Sequence, residues 1–399
     1  MDSETARPFD PTDPQVVADP YPTYERLRAA GPVVRASDPG VWAVSRYDDV
    51  ARLARDPRLR NEFPPRYHHY SVGEGEAAAF LQRIVLNRDP PEHTRLRRLM
   101  ARGLSPSAVG RLREHVTRVV DELLDPALDS GEVDLASGVA LPLPVMVVCE
   151  MLGVADADRD ETSRRAATLV HLLGMIRPTP QQLAESGAAL AWLRDYLGGL
   201  IRQYRRRPQP NELSAMVGAA DPALSEEEIV DNAVFLLLAG FETTMGFVTN
   251  GLAALLDRPE AVARLRAEPG LLPSTVEELL RFDPSVQWVA RYVAEPLRVG
   301  GTLLRRNRVV LLLLASANRD GRRFADPDRL DVGRHPNPHL TFGGGAHHCM
   351  GAGLARLEGQ VLLQRLLART TALEIGGRSR RRHPSLRTFD RLVLHLQPA

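Results

Sequence analysis

Lysine is absent from the 399 residues, so every one of the 51 permanently cationic side chains is an arginine. Cysteine is almost absent: Cys149 and Cys349 are the only two. Two thiols cannot build a disulfide framework, and one bridge would add little to a core this large, so a reducing cytoplasm is expected. Charge of one sign is not in excess either. The formal net charge of +1 gives no overall attraction to nucleic acid, although local patches can still act. Long apolar runs are missing: AVFLLLAGF from Ala233 and VVLLLLASA from Val309 are far short of a bilayer crossing, and MDSETARPFDPTDPQ lacks the basic start and apolar stretch of a signal peptide. No membrane anchor is expected. No Gly/Ser linker, internal repeat or low-complexity tract divides the chain, which predicts one domain over 1–399.

What is present is an ordinary globular composition, 44% hydrophobic and 25% charged. Apolar residues recur at three- and four-residue spacing over Tyr21 to Ala30, Pro106 to Leu124, Pro144 to Leu152, Ala155 to Leu173, Gln181 to Arg206, Glu226 to Leu256, Pro259 to Glu268, Leu272 to Arg281 and Gly351 to Ala368. Strand-like pieces are short: Val33 to Arg35, Val41 to Val44, Leu297 to Val299, Val309 to Leu314 and Leu392 to Leu396. The fold is predicted to be mainly α with a minor β part. Its longest helix opens on Ser225 and Glu228 in capping-box spacing and stops before Pro259, a length of roughly 46 Å at about 1.5 Å per residue. From Ala233 to Phe241 that helix is apolar on every face, as a helix through the middle of a globule must be. Yet Gly240, Glu242, Thr243 and Thr244 fall in the same stretch. A buried carboxylate is expensive and a mid-helix glycine unfavourable, and such conflicts arise where function overrides stability.

Residues 342–351 read FGGGAHHCMG. A glycine run before a helix lets backbone approach something closely, and a cysteine at the helix start has N–H groups and a positive helix end beside it, which favour a thiolate. Zinc is the first candidate for His347, His348 and Cys349, but three adjacent residues do not readily wrap one tetrahedral ion, and no second cluster is spaced to help. A thiolate that is the single axial ligand of a haem needs no second protein ligand. His68 and His69 read as a solvent-facing pair, and Cys149, within VMVVCEML, as core.

FGGGAHHCMG resembles the haem-binding signature of the cytochrome P450 monooxygenases. Three further stretches match that family in order: HTRLRR with His93 and Arg97, LAGFETT with Ala239, Gly240, Glu242 and Thr243, and EELLR with Glu278 and Arg281. The resemblance spans nearly the whole chain and is nearest to soluble actinobacterial members. It implies haem b (iron protoporphyrin IX) with Cys349 as iron ligand, Phe342, Gly343 and Gly351 around the ligand, His93, Arg97, Arg291 and His347 on the propionates, and Ala239 and Gly240 beside the iron. Thr243 and Glu242 would be the alcohol and acid that bring protons to bound O₂, on a locally opened helix. Glu278, Arg281 and Arg334 would form a structural lock. Met350, where leucine is common, and Tyr292 after Arg291 are small departures.

The implied reaction inserts one atom of O₂ into a small organic molecule, a hydroxylation or epoxidation in secondary metabolism. No GxGxxG follows a strand, so electrons must come from another protein, by resemblance a ferredoxin or flavodoxin-like carrier. Arg95, Arg98, Arg102, Arg111 and Arg113 offer it a basic lining. A carrier-bound substrate stays open, because PPRYHHY and GMIRPTP put arginines in the substrate loops. The alternative is a haem-thiolate protein with a non-hydroxylating role as sensor, carrier or other redox catalyst.

Overall fold

The computed structural model describes residues 8–101, 103–173, 177–218 and 224–399. Helices Tyr21–Ala30 and Glu226–Leu256 have the predicted bounds, while Pro142–Leu152, Pro180–Arg206, Leu272–Phe282 and Ala352–Arg369 shift by one or two residues. The stretch from Pro106 divides into Pro106–Arg111 and Arg113–Ser130, and the second helix stops at Gly131, whose φ of 72° is the left-handed cap glycine adopts readily. Short helices not foreseen are Pro14–Ala18, Tyr47–Leu53, Pro65–Val72, Glu76–Arg83, Glu212–Gly218 and Leu314–Ala317, each too brief for apolar periodicity to register.

The β part is larger than expected. A five-stranded sheet runs in the order Val33–Arg35, Val41–Val44, Val309–Leu312, Val289–Val293, Leu59–Arg60, with the second and third strands parallel. The Val309 strand ends early because Leu314–Ala317 turns into a helix. Thr370–Arg380 pairs with Phe389–Pro398, and Glu132–Asp134 completes that sheet. Thr370–Arg380 went unread because TTALEIGGRSR contains two glycines and few apolar residues; the ladder to its partner holds it.

The 31-residue central helix has the capping box at Ser225 and Glu228, with both reciprocal bonds made. It is the one helix among the described residues long and apolar enough to cross a bilayer, and most of it is buried inside the protein. Its polar residues at i, i+3 and i+4 near the start form a seam. Glu228 receives Arg95, Asp231 receives Arg83 and Arg194, and Asn232 bonds the backbone of Arg83 and Val85. Burying these groups is tolerable because each is paired.

The predicted lock is present. Glu278 and Arg281, both fully buried, are bonded at 2.8 Å, and Arg334 Nε reaches Glu278 at 3.1 Å. Arg281 also donates to the carbonyls of Asn318 and Pro327, tying the Leu272–Phe282 helix to the segment that leads into Phe342.

Candidate active site

Along the buried middle of the central helix, Leu236, Ala239, Gly240 and Thr243 retain accessible surface while Phe241 and Thr244 do not. At i, i+3, i+4 and i+7 they form one stripe, so a single face of the core helix is left uncovered by protein. Glu242 is half-buried at its margin. The helix is not opened here, contrary to the sequence expectation: helical structure continues through 256, and Thr243 Oγ1 donates to the Ala239 carbonyl at 3.1 Å, the back-bond a helical threonine makes when nothing else takes its proton. A Cβ on Gly240 would lie 3.1 Å from Cγ2 of Val148, so this glycine also serves close helix packing.

Glu242 is not free. Its Oε1 accepts from Arg381 Nη1 at 2.8 Å, and Arg381 Nε donates to Asp390 at 2.9 Å. Sequence reasoning missed Arg381, since a run of three arginines at 380–382 reads as solvated turn. The same reading put His68 in solvent, but His68 is buried and burial lowers its pKa, whereas His69 is exposed; the Pro65–Val72 helix turns consecutive residues to different faces.

In the loop after Phe342, Gly343 and Gly345 both have φ of 69°, a conformation that a side chain would strain. The turn brings Cys349 N to Phe342 O at 2.9 Å and leaves the sulfur beside the start of the Ala352–Arg369 helix, where a Cβ on Gly351 would be 3.9 Å from it. The thiol is held among protein atoms, yet it keeps accessible surface, as does the helix stripe. Burial raises its pKa and outweighs the N–H groups of Gly351 and Ala352 and the charges of Arg97 and Arg356, which lower it. The N–H groups at the helix start do lower the thiol, as the sequence reading expected, but desolvation of a lone thiolate is the larger effect. Phe342 packs against the core, with the Arg356 guanidinium 4.6 Å over its ring. Cys149 is core, its thiol pushed up to about 12 by burial.

Cationic groups gather beside the loop. The ring of buried His93 is 4.1 Å from that of His347, Arg97 Nη2 donates to His348 O at 2.6 Å, and His347 Nε2 lies 3.7 Å from Asp89. Burial, then His347 and Arg97, push His93 down to about 4, so it is a neutral imidazole at ordinary pH. Arg291 is buried, and among the described residues its guanidinium bonds only the carbonyl of Ala290; burial pushes it down to about 10, opposed by Asp89. Asp89 is itself occupied by the N–H groups of Asn61 and Glu62. Among the described residues neither Arg97 nor Arg291 has a carboxylate partner. Two guanidinium groups and two imidazoles around one spoken-for acid form a site for added negative charge.

Residues 41–385, which carry the cysteine loop, the helix stripe and the Glu278–Arg281 lock, match the sequence profile of the cytochrome P450 family. The chain is a cytochrome P450. It is 40% identical to the cytochrome P450 monooxygenase PikC of Streptomyces venezuelae, over 90% of this chain and 85% of that one. It is 37% identical to the mycinamicin IV hydroxylase/epoxidase of Micromonospora griseorubida, over 88% of each. Its fold superposes with a TM-score of 0.90 on cytochrome P450BioI, solved in complex with an acyl carrier protein ligated to hexadec-9Z-enoic acid, at 31% identity over 96% of this chain and 99% of that one. The expectations of family, fold, monooxygenase class and haem b are borne out.

The residues of this cytochrome P450 fit haem b. The cation cluster matches two propionates in sign and number, the glycine loop exposes backbone beside the sulfur, and the accessible stripe offers small side chains. Of the basic lining, Arg98, Arg111 and Arg113 are exposed, Arg111 lies 3.8 Å from Glu212, Arg95 is engaged by Glu228, and Arg102 lies outside the described residues.

Proposed function

We propose that this cytochrome P450 inserts one oxygen atom into a small secondary metabolite, by hydroxylation or epoxidation, in the cytoplasm, with electrons from a ferredoxin or flavodoxin-like protein. The observation that carries the reading is the pairing of an accessible Ala239, Gly240 and Thr243 stripe with a carboxylate, Glu242, at its edge. The stoichiometry is RH + O₂ + two electrons + two protons giving ROH + water. When bound, haem b supplies the iron chemistry that reduces and cleaves O₂.

Cys349 would hold the iron, a bound cation that keeps a coordinating thiol deprotonated against the cost of burial. Arg97, Arg291, His93 and His347 would hold the propionates, and Phe342, Gly343 and Gly351 would enclose the sulfur. Thr243 Oγ1 can exchange its bond to the Ala239 carbonyl for a distal acceptor, with Glu242 supplying protons behind it. The exposed Arg98, Arg111 and Arg113 support docking of an acidic electron donor on this face.

Two relatives are named for 6-deoxyerythronolide B and mycinamicin IV, which makes macrolactones the first substrates to supply, and the P450BioI complex makes a carrier thioester the second form. The test is Thr243→Ala in holoprotein given macrolactones free and carrier-bound. O₂ uptake is expected to continue while product falls at least tenfold and peroxide takes its place. Product formation unchanged by the substitution would remove Thr243 from the reaction, and product absent from wild type with every substrate despite a haem-thiolate spectrum would favour the non-hydroxylating role.

A further inference from the structure

The hairpin between Thr370–Arg380 and Phe389–Pro398 is gripped at both ends of its loop by one buried acid. Asp283 Oδ2 accepts from Arg380 Nη2 at 3.0 Å, and Oδ1 accepts from Arg387 Nε at 2.9 Å and from Tyr21 Oη at 2.6 Å. Burial raises the Asp283 carboxyl, but Arg387 and Arg380 outweigh it and keep the group ionised. Two backbone bonds and one from an indole fasten the same loop to 285–288: Gln287 N to Ser385 O, Arg387 N to Ser285 O, and Trp288 Nε1 to Pro384 O. The loop is therefore a fixed arm; from it Arg380 Nη1 donates to Asn250 Oδ1 of the central helix at 2.8 Å, and Arg381 reaches Glu242.

From this geometry we propose that Arg381 is a positioning residue for Glu242. It holds Oε1 at 2.8 Å and leaves Oε2 without a protein partner among the described residues, aimed by the rigid arm rather than by the glutamate's own flexible stem. Asp390 steadies the outer side of the guanidinium, so Arg381 is braced between a half-buried acid and a surface acid. Arginine stays protonated, so Arg381 is no proton conduit. Its part is to keep one carboxylate oxygen of Glu242 in place while the other exchanges protons. The inference rests on the reading of Glu242 given above.

Proton delivery decides the fate of O₂ even without an organic substrate. O₂ + two electrons + two protons gives H₂O₂, and O₂ + four electrons + four protons gives two H₂O, so poor delivery raises the peroxide share. Holoprotein reduced through a plant-type ferredoxin and its NADPH-dependent reductase is assayed for NADPH, O₂ and H₂O₂. Glu242→Gln is expected to raise the peroxide share at least twofold, Arg381→Gln to recover at least half of that rise, and Arg381→Lys to fall between Arg381→Gln and wild type. The double variant should match Glu242→Gln alone, since a positioning residue has nothing to act on once its target is gone, whereas damage to the hairpin would add. A wild-type peroxide share in Arg381→Gln, with Glu242→Gln raised, overturns the role of Arg381 and spares that of Glu242. An unchanged share in Glu242→Gln overturns both. Urea unfolding of wild type, Glu242→Gln, Arg381→Gln and the double variant reads the pair independently of turnover: midpoint shifts that fail to add are expected, and additive shifts count against the contact.

Discussion

Glu358 is buried in the Ala352–Arg369 helix and makes no hydrogen bond in the described structure; burial raises its carboxyl to about 8. The consequence for stability follows from proton counting. Below the unfolded value of 4.5 both states hold the proton, and the group contributes no pH dependence. Between 4.5 and about 8 the unfolded chain releases it while the folded one retains it, so stability falls by about 1.4 kcal/mol per pH unit and levels off above. Glu358→Gln should unfold at the same urea concentration as wild type at pH 4 and at a higher one at pH 8; equal midpoints at both would refute a neutral buried acid. At this scale Cys349, Thr243 and Glu242 were legible because each broke a local rule, a thiol behind glycines or polar groups in an apolar helix. Arg381, His68 and Glu358 were not, since an arginine in a turn, a histidine in a loop and a glutamate on a helix break none.

Between elements, the central helix and the hairpin meet at Gly246. A Cβ there would lie 2.8 Å from Ser285 Cβ and 2.9 Å from the carbonyl oxygen of Arg387. Helix propensity alone makes Gly246→Ala stabilising by about 1 kcal/mol. The contact argues the opposite, because Arg387 is fastened to Asp283 and its backbone cannot yield. Overpacking of this kind costs about 1–3 kcal/mol, so the variant should melt below wild type; a higher melting temperature would show that the hairpin moves freely. The bounds of the central helix were readable from its capping box and the following proline. The partner strand Thr370–Arg380 was not, because cross-strand bonds to residues up to Pro398 decide it.

For the molecule as a whole, Glu278 is the joint between helical body and ligand loop. It accepts from Arg281, Arg334, Asn337 Nδ2 and the Asp331 backbone, all without solvent access of its own. Glu278→Gln leaves Arg281 fully buried beside a neutral amide, and loss of one partner of such a pair costs about 3–5 kcal/mol. Urea unfolding of the holoprotein should show that loss, with haem released ahead of global unfolding; a change below about 1 kcal/mol would mean that the carbonyls of Asn318 and Pro327 suffice for Arg281.

The sequence by itself determined the helical class, the ends of the long helix, the cysteine loop and the family, because periodicity, caps and glycine requirements act within a few residues along the chain. Only the tertiary structure decided that Glu242 is held by Arg381, 139 positions away, that Arg291 is buried without a carboxylate partner among the described residues, and that burial outweighs the helix start at Cys349. Desolvation and ion pairing depend on which distant side chains surround a group, and no local pattern records that.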